Sequence, residues 1–245
     1  MDINVLTFDS LESTNTEALA QARLGADEGV CVIARQQTAG RGRHGRTWVS
    51  AKDAGLYFSI VLRPKLELKD LPLITLMTGV AVHETLSELG IAADIKWVND
   101  ILVGEKKICG ILAETTDTPS GLAVIVGIGI NVRTSNFPPE IADTATSIEE
   151  SVPGAVATGD LVESLTANLM NFYDMLTVEP RSVLDEWSRR STYFSGKHVR
   201  VVLESEAVMG VTEGLESNGA LRVRRDDGDI AIIQAGDVEQ LRTTT

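Results

Sequence analysis

At 245 residues, 43% of them apolar and with a mean hydropathy close to zero, the chain is long enough to bury one sizeable core and a smaller one. Its 35 acidic against 22 basic residues leave a formal net charge of -13, which argues against a surface that grips nucleic acid or an anionic membrane. The start, Met1-Asp2-Ile3-Asn4-Val5, lacks a basic segment followed by an apolar run, and no stretch approaches the roughly eighteen uninterrupted apolar residues of a membrane span, so a cytoplasmic chain is expected.

In chain order, residues 3–8 read as a short strand. The run Ser13-Thr14-Asn15-Thr16-Glu17 then resembles a helix cap and first turn, followed by Ala18, Leu19, Ala22 and Leu24 at roughly helical spacing. Residues 29–35 and 55–62 are apolar, β-branched strand patterns. Residues 71–89 carry apolar side chains at helical spacing, and His83 within them reads as a packing or surface histidine. Residues 94–103 alternate like a strand interrupted by a turn at Asn99-Asp100. Residues 104–107 form a polar turn into the strand 108–114, placing Lys96 and Lys107 on paired strands of a hairpin. Residues 122–130 form a further strand, where Gly127 and Gly129 imply close approach of a ligand or another backbone.

The Pro-, Ser- and Thr-rich stretch 137–159 is expected to be a long surface loop, with helices following over 160–176 and 181–190. Residues 193–196 mark a boundary, after which the texture changes to four or five short strands with turns at 217–219 and 226–229, spaced like a small barrel. The last three threonines, 243–245, read as a frayed end. Cys31 and Cys109 lie in apolar runs and are expected to be buried free thiols, and no His or Cys cluster has metal-ligand spacing.

One segment departs from this ordinary picture. Between residues 30 and 52 there is no acidic side chain, while Arg35, Arg41, Arg43, Arg46 and Lys52 are all basic. At its centre residues 40–48 read Gly-Arg-Gly-Arg-His-Gly-Arg-Thr-Trp, a loop whose backbone can approach a ligand and whose arginines can fold over it, so the ligand is expected to be a small anion. Gly40, Gly42 and Gly45 satisfy G-x-G-x-x-G, but Arg46-Thr47-Trp48 leads to another strand rather than to the helix that a dinucleotide fingerprint requires. No Gly-Lys-Ser or Gly-Lys-Thr follows, so a P-loop is excluded as well.

Together with Ser13-Thr14-Asn15, Gln37, the run from Lys96 to Asp100, the run from Lys107 to Glu114, and Gly127-Ile-Gly-Ile-Asn131, this loop resembles the biotin protein ligases, or biotin–acetyl-CoA-carboxylase ligases, in order and spacing. The resemblance covers nearly the whole chain and includes the small C-terminal β domain, which looks like that family's SH3-like module. The fold expected is α+β: a mixed, mainly antiparallel sheet with helices on one face in a biotin- and ATP-binding domain over 1–194, and a small SH3-like β barrel over 195–245. Two positions depart from the family pattern, Val98 where Pro is usual and His44 where Arg is frequent, and Val98 is expected to keep strand character. Some members carry an N-terminal helix-turn-helix domain that represses biotin genes. This chain begins with the catalytic domain, so no operator DNA binding is expected.

The activity implied is formation of biotinyl-5'-AMP from biotin and ATP, then transfer of the biotinyl group to a lysine of a biotin carboxyl carrier domain. A carboxylate must then approach a polyanion, so cations are needed more than a general base. The resemblance assigns catalysis to Lys107, Arg43 and Arg41. It assigns biotin contacts to Ser13, Thr14, Asn15, Gln37, Arg41, Gly42, Arg43, Trp48, Lys107, Gly110 and Gly127, and ATP contacts to Arg41, Arg43, Arg46, Lys107, Asn131 and Asp100. Ser13, Thr14 and Asn15 remain readable as a helix cap, and Trp48 as plain core. Asp100 serves either to place Arg43 or to hold a Mg2+ ion that accompanies ATP. A homodimer is compatible with an open sheet edge. Two alternatives stand beside this reading: a lipoate or octanoate protein ligase of related fold, and a non-catalytic biotin sensor, which would be expected to lose Lys107 or the arginines.

Overall fold

The computed structural model describes residues 1–134, 137–203 and 206–240. Seven strands form the main sheet: β1 (Asn4–Phe8), β2 (Val30–Ala34), β3 (Gly55–Leu62), β4 (Ala93–Lys96), β5 (Asp100–Val103), β6 (Lys106–Thr118) and β7 (Gly121–Asn131), in the order β1-β2-β3-β7-β6-β5-β4. Only β1 and β2 run parallel; every other neighbour is antiparallel, so the sheet is mixed and mainly antiparallel as expected.

The period of two along β3 and β7 sorts their residues between two faces. Leu56, Phe58, Ile60 and Leu62 of β3, with Val124, Val126, Ile128 and Ile130 of β7, join the large core beneath α2 (Leu73–Glu88). That helix is apolar around nearly its whole circumference because it is covered on both sides, by the sheet and by other helices. On its outer side lie α4 (Thr158–Val178) and α5 (Ser182–Arg190), each slightly shifted from its expected span. These three helices occupy one face, as predicted. The short α1 (Thr14–Arg23) is the exception: its Ala18 and Ala22 pack on Val30, Val32, Val61, Ala123 and Ile125, the opposite set of the alternation. It covers only part of that face, and the remainder is where the arginine loop lies.

Two local expectations change. Residues 94–103 are interrupted by a turn as expected, but it falls at 97–99 rather than at Asn99-Asp100, and the two halves, β4 and β5, pair antiparallel. The Trp97 indole is buried there and donates to Gly219 O at 3.0 Å, and Asn99 Nδ2 donates to Ile111 O at 3.0 Å, so side chains fix the reversal. Val98 therefore sits in a turn, across a cis Trp97–Val98 peptide, and not on a strand. Lys96 and Lys107 are not on mutually paired strands; each flanks β5. The second change concerns residues 137–159, which are not all surface loop. Thr146, Ser147 and Ile148 are buried, and Ser147 Oγ caps the one-turn α3 (Ile148–Ser151) by accepting from Glu150 N.

The C-terminal strands β8 (Ser195–Val202), β9 (Ala207–Leu215), β10 (Leu221–Arg224), β11 (Ile230–Ile233) and β12 (Asp237–Gln240) pair antiparallel in the order β11-β10-β9-β8-β12. Among the described residues β11 and β12 remain the two ends of this sheet, so its strands do not close into a barrel. Its core residues Val199, Val201, Leu221 and Val223 are continuous with the main core. The expected frayed end at 243–245 lies outside the described residues.

Candidate functional site

The face of the sheet left partly bare by α1 is floored by β6 and β7, where Gly110 pairs with Gly129 and Leu112 with Gly127. The glycines answer to steric need. A Cβ on Gly127 would lie 2.2 Å from Asn15 Oδ1, and one on Gly129 would lie 2.5 Å from the Trp48 ring. On Gly110 it would lie 2.9 Å from Trp48 and 3.1 Å from Lys107 Cε. The close approach inferred from the sequence is thus made by this chain's own side chains. The cavity above the floor is lined by the neutral groups Ser13, Thr14, Asn15 and Gln37 and by the cations Arg41, Arg43, Arg46 and Lys107. Trp48 lies over part of the floor and leaves about 120 Å3, less than the roughly 300 Å3 of a small ligand pocket, so entry of a ligand of that size requires the loop to shift.

Among the neutral groups, Ser13 sits at the N-cap of α1 with extended backbone, but its side chain makes no cap hydrogen bond. The Thr14 amide and hydroxyl instead donate to Gln37 Oε1 at 2.8 and 3.1 Å, and Gln37 Nε2 donates to Ser50 Oγ at 2.8 Å. Ser59 Oγ lies 2.8 Å from Thr14 Oγ1 and 2.6 Å from Asn15 Oδ1. Buried hydroxyls and amides that satisfy one another form a rigid polar wall, with both donors and acceptors within reach of the cavity.

The loop itself is a narrow reversal, with Gly42 N donating to Arg46 O at 2.7 Å and Trp48 N to Gly40 O at 2.9 Å. Its glycines differ in purpose. A Cβ on Gly40 would strike Trp48 O at 2.3 Å, Gly45 has φ 71° beside His44 at φ 53°, and Gly42 has extended backbone that any residue adopts.

Each of these four cations has a partner within the chain. Arg41 forms a two-pronged pair with Glu114 at 3.0 and 2.7 Å, and Arg43 donates to Asn99 Oδ1 at 3.0 Å and to Gly236 O at 3.3 Å. Arg46 pairs with Asp237, and Lys107 Nζ lies 2.6 Å from Asp100 Oδ1 and 5.5 Å from the Trp48 ring centroid. Burial pulls the Arg43 guanidinium below its ordinary pKa, opposed by the nearby charges of Asp237 and Asp100. An incoming anion therefore meets guanidinium groups already oriented, whose carboxylate and carbonyl partners it must share or replace.

All the site residues expected from the sequence line this cavity except Asn131. Asn131 Nδ2 donates to Lys107 O at 3.3 Å and Thr146 O at 2.9 Å, while Lys107 N donates to Thr144 O at 2.7 Å, so Asn131 braces the strand that carries Lys107. Asp100 salt-bridges Lys107 and, at 3.8 Å, Lys96, while Arg43, which it was expected to place, donates to Asn99. A carboxylate between two ammonium groups is a poor metal ligand, and among the described residues no group of three or more His, Cys, Asp or Glu could hold an ion. Sequence reasoning missed the roles of Glu114 and Asn99, although both lie in motifs it had marked. Ser59, hidden in an apolar strand, and Asp237, from the distant C-terminal sheet, gave no local signal.

Comparison with known proteins agrees with this geometry. Residues 7–131 match the model of the Biotin/lipoate A/B protein ligase family, and residues 194–240 match the Biotin protein ligase C terminal domain. The bifunctional ligase/repressor BirA of Bacillus subtilis is 33% identical over 244 residues, covering 98% of this chain and 74% of the relative. A biotin–[acetyl-CoA-carboxylase] ligase of Mycobacterium tuberculosis is 32% identical over 242 residues, covering 94% of this chain and 86% of the relative. Among solved structures, the biotin protein ligase from Aquifex aeolicus in complex with biotin and ATP superposes with a TM-score of 0.84 at 29% identity, covering 98% of this chain and 99% of that one. With the arginine loop, the glycine floor and Lys107 brought to one cavity, the chain belongs to the biotin/lipoate A/B protein ligase family.

Proposed function

We propose that the chain is an ATP-dependent ligase that activates biotin as biotinyl-5'-AMP and transfers the biotinyl group to a lysine of a biotin carboxyl carrier domain. The observation that carries this reading is one cavity lined by both a set of neutral hydrogen-bonding groups and four cations. Biotin carries the complementary groups, a ureido group of two N–H donors and one carbonyl at one end and a carboxylate at the other. The similar Aquifex aeolicus ligase has been solved with biotin and ATP together, which supports placing both substrates in this cavity.

In the first step a biotin carboxylate oxygen attacks the α-phosphorus of ATP and pyrophosphate leaves. The barrier is charge repulsion and alignment, so fixed cations are the main requirement. Lys107 on β6 supplies an ammonium held by the sheet, and Arg41, Arg43 and Arg46 supply guanidinium groups from the loop. In the second step the carrier lysine nitrogen attacks the acyl carbon, the N–H proton is lost to solvent or phosphate, and AMP leaves. Water would destroy the same anhydride, so the loop must stay closed over it. Mg2+ enters as part of the ATP substrate. A cytoplasmic location, where ATP and carboxylases meet, follows from this reading. With β1 and β4 at the two edges of the sheet, pairing with a second copy is geometrically open, and the net charge of -13 disfavours nucleic-acid binding.

Biotin-dependent exchange of labelled pyrophosphate into ATP tests the proposal, run beside lipoate and octanoate. Exchange with biotin alone, lost in Lys107→Ala, supports it. Exchange with lipoate moves the chain to the other branch of its family, and biotin binding without exchange makes it a sensor.

A further inference from the structure

Glu114 has no part in the chemistry above and does not line the cavity, yet its carboxylate holds two residues that do. Oε1 accepts from Arg41 Nη1 at 3.0 Å, while Oε2 accepts from Arg41 Nη2 at 2.7 Å and from Asn15 Nδ2 at 2.8 Å. Arg41 is one of the cavity's cations and Asn15 one of its neutral hydrogen-bonding groups, and their bonds to one oxygen make them neighbours. A single carboxylate outside the cavity lining therefore ties a cation and a neutral amide of the site together.

The chemistry of each contact is directional. Glu114 takes one N–H from each terminal nitrogen of Arg41, and a guanidinium has five, so the Nε–H and one outer N–H on each terminal nitrogen stay available to an anion. Asn15 spends both amide hydrogens, one on Glu114 and one on Leu112 O at 3.2 Å. Because an ionised carboxylate only accepts, it dictates which way the Asn15 amide faces: a flipped amide would set Oδ1 against Glu114. Oδ1 then receives Ser59 Oγ at 2.6 Å and keeps one unused lone pair. An acceptor in that position suits an N–H donor on the substrate.

A carboxylate close to a polyanion site also opposes substrate binding, and at 26% exposure its pair with Arg41 adds little stability. Orientation is the remaining benefit. We infer that Glu114 is a positioning residue for the acid substrate, fixing Asn15 as an acceptor for a substrate N–H and Arg41 as a fork for a substrate anion. This inference rests on the ligase reading.

The test is steady-state pyrophosphate exchange by the full chain carrying Glu114→Gln, Arg41→Ala, Asn15→Ala and the two double variants that contain Glu114→Gln, with melting temperatures measured alongside. Glu114→Gln preserves volume but presents N–H groups to donors, and it lowers kcat/KM for biotin about 10- to 100-fold, mainly through KM for biotin, while KM for ATP shifts less. In both double-mutant cycles the combined loss falls well short of the product of the single losses, because Glu114 acts through those two residues. Should Glu114→Gln fail to fold, Glu114→Asp is read in the same cycles. Losses that simply multiply, a loss that tracks a falling melting temperature, or an unchanged KM for biotin overturns the assignment. Absence of biotin-dependent exchange in the unaltered chain is a different outcome: it removes the ligase reading, and this inference with it.

Discussion

The two walls of the cavity are built on opposite principles. The floor is sheet: Gly110, Gly127 and Gly129 lie in a ladder of main-chain hydrogen bonds between β6 and β7, and Lys107 is braced by Asn131 and by the backbone of residues 144–146. The roof is a nine-residue loop over 40–48 whose ties to the rest of the molecule are largely side-chain bonds, through Arg41, Arg43 and Arg46 to Glu114, Asn99, Gly236 and Asp237. Ladder bonds break only when the sheet opens, whereas each side-chain tie exchanges singly with a competing anion. The floor is suited to chemistry that needs a fixed charge, and the roof to admission and retention.

The comparison can be broken from either side. The largest effect is expected at Lys107: replacement by alanine lowers the rate of biotinyl-AMP formation about 100- to 1000-fold, measured by single-turnover exchange, with the intermediate that does form still held on the protein. Arg43→Gly should do the reverse. It removes the bonds to Asn99 and Gly236, so adenylation falls only about 10-fold, while biotinyl-AMP escapes and labels lysines of unrelated proteins. Full retention of the intermediate and strict carrier selectivity in that variant would show that the roof is not held there.

A smaller effect separates the glycines. Gly127→Ala drives a methyl into Asn15, which is bonded to Ser59, Leu112 and Glu114, and should cost about 1–3 kcal/mol of stability, read by denaturant unfolding. Gly129→Ala meets Trp48, a side chain of the movable loop, and should cost less stability while weakening loop closure. Equal stability losses would mean that the roof is as rigid as the floor. The smallest effect is a control on the core: burial pushes the Cys31 thiol up to about 12 and Cys109 higher still. The reactive thiolate is present only as pH approaches the raised value, so at pH 8 iodoacetamide should leave both residues unmodified in the folded protein.

Much of this was legible from local pattern. The acid-free arginine loop is contiguous in sequence and points to a small anion before any contact is known, the strand glycines point to a close approach, and the residues around Lys107 are marked by the family resemblance. What stayed hidden depends on registration between distant segments. The family resemblance alone assigns Asn131 to ATP, and packing of residues 144–147 beside β6 brings its side chain to Lys107 O and Thr146 O. Ser59 sits among apolar neighbours in β3, and only the pleat shows that it faces α1 rather than the core. The turn within residues 94–103, expected at Asn99-Asp100, falls at 97–99, where the buried Trp97 indole bonds to Gly219, a contact alternation cannot show.

That indole bond reaches beyond the turn. Gly219, at φ 84°, leaves no space for a side chain: a Cβ there would lie 2.7 Å from Leu76 Cδ1, so the tip of the 217–219 turn is wedged between α2 and Trp97. The C-terminal sheet shares its apolar interior with the main sheet across this wedge. Although two separate family models recognise the two segments, heating should produce one calorimetric transition rather than two, and a fragment ending near residue 194 would expose α2 and Trp97 to solvent.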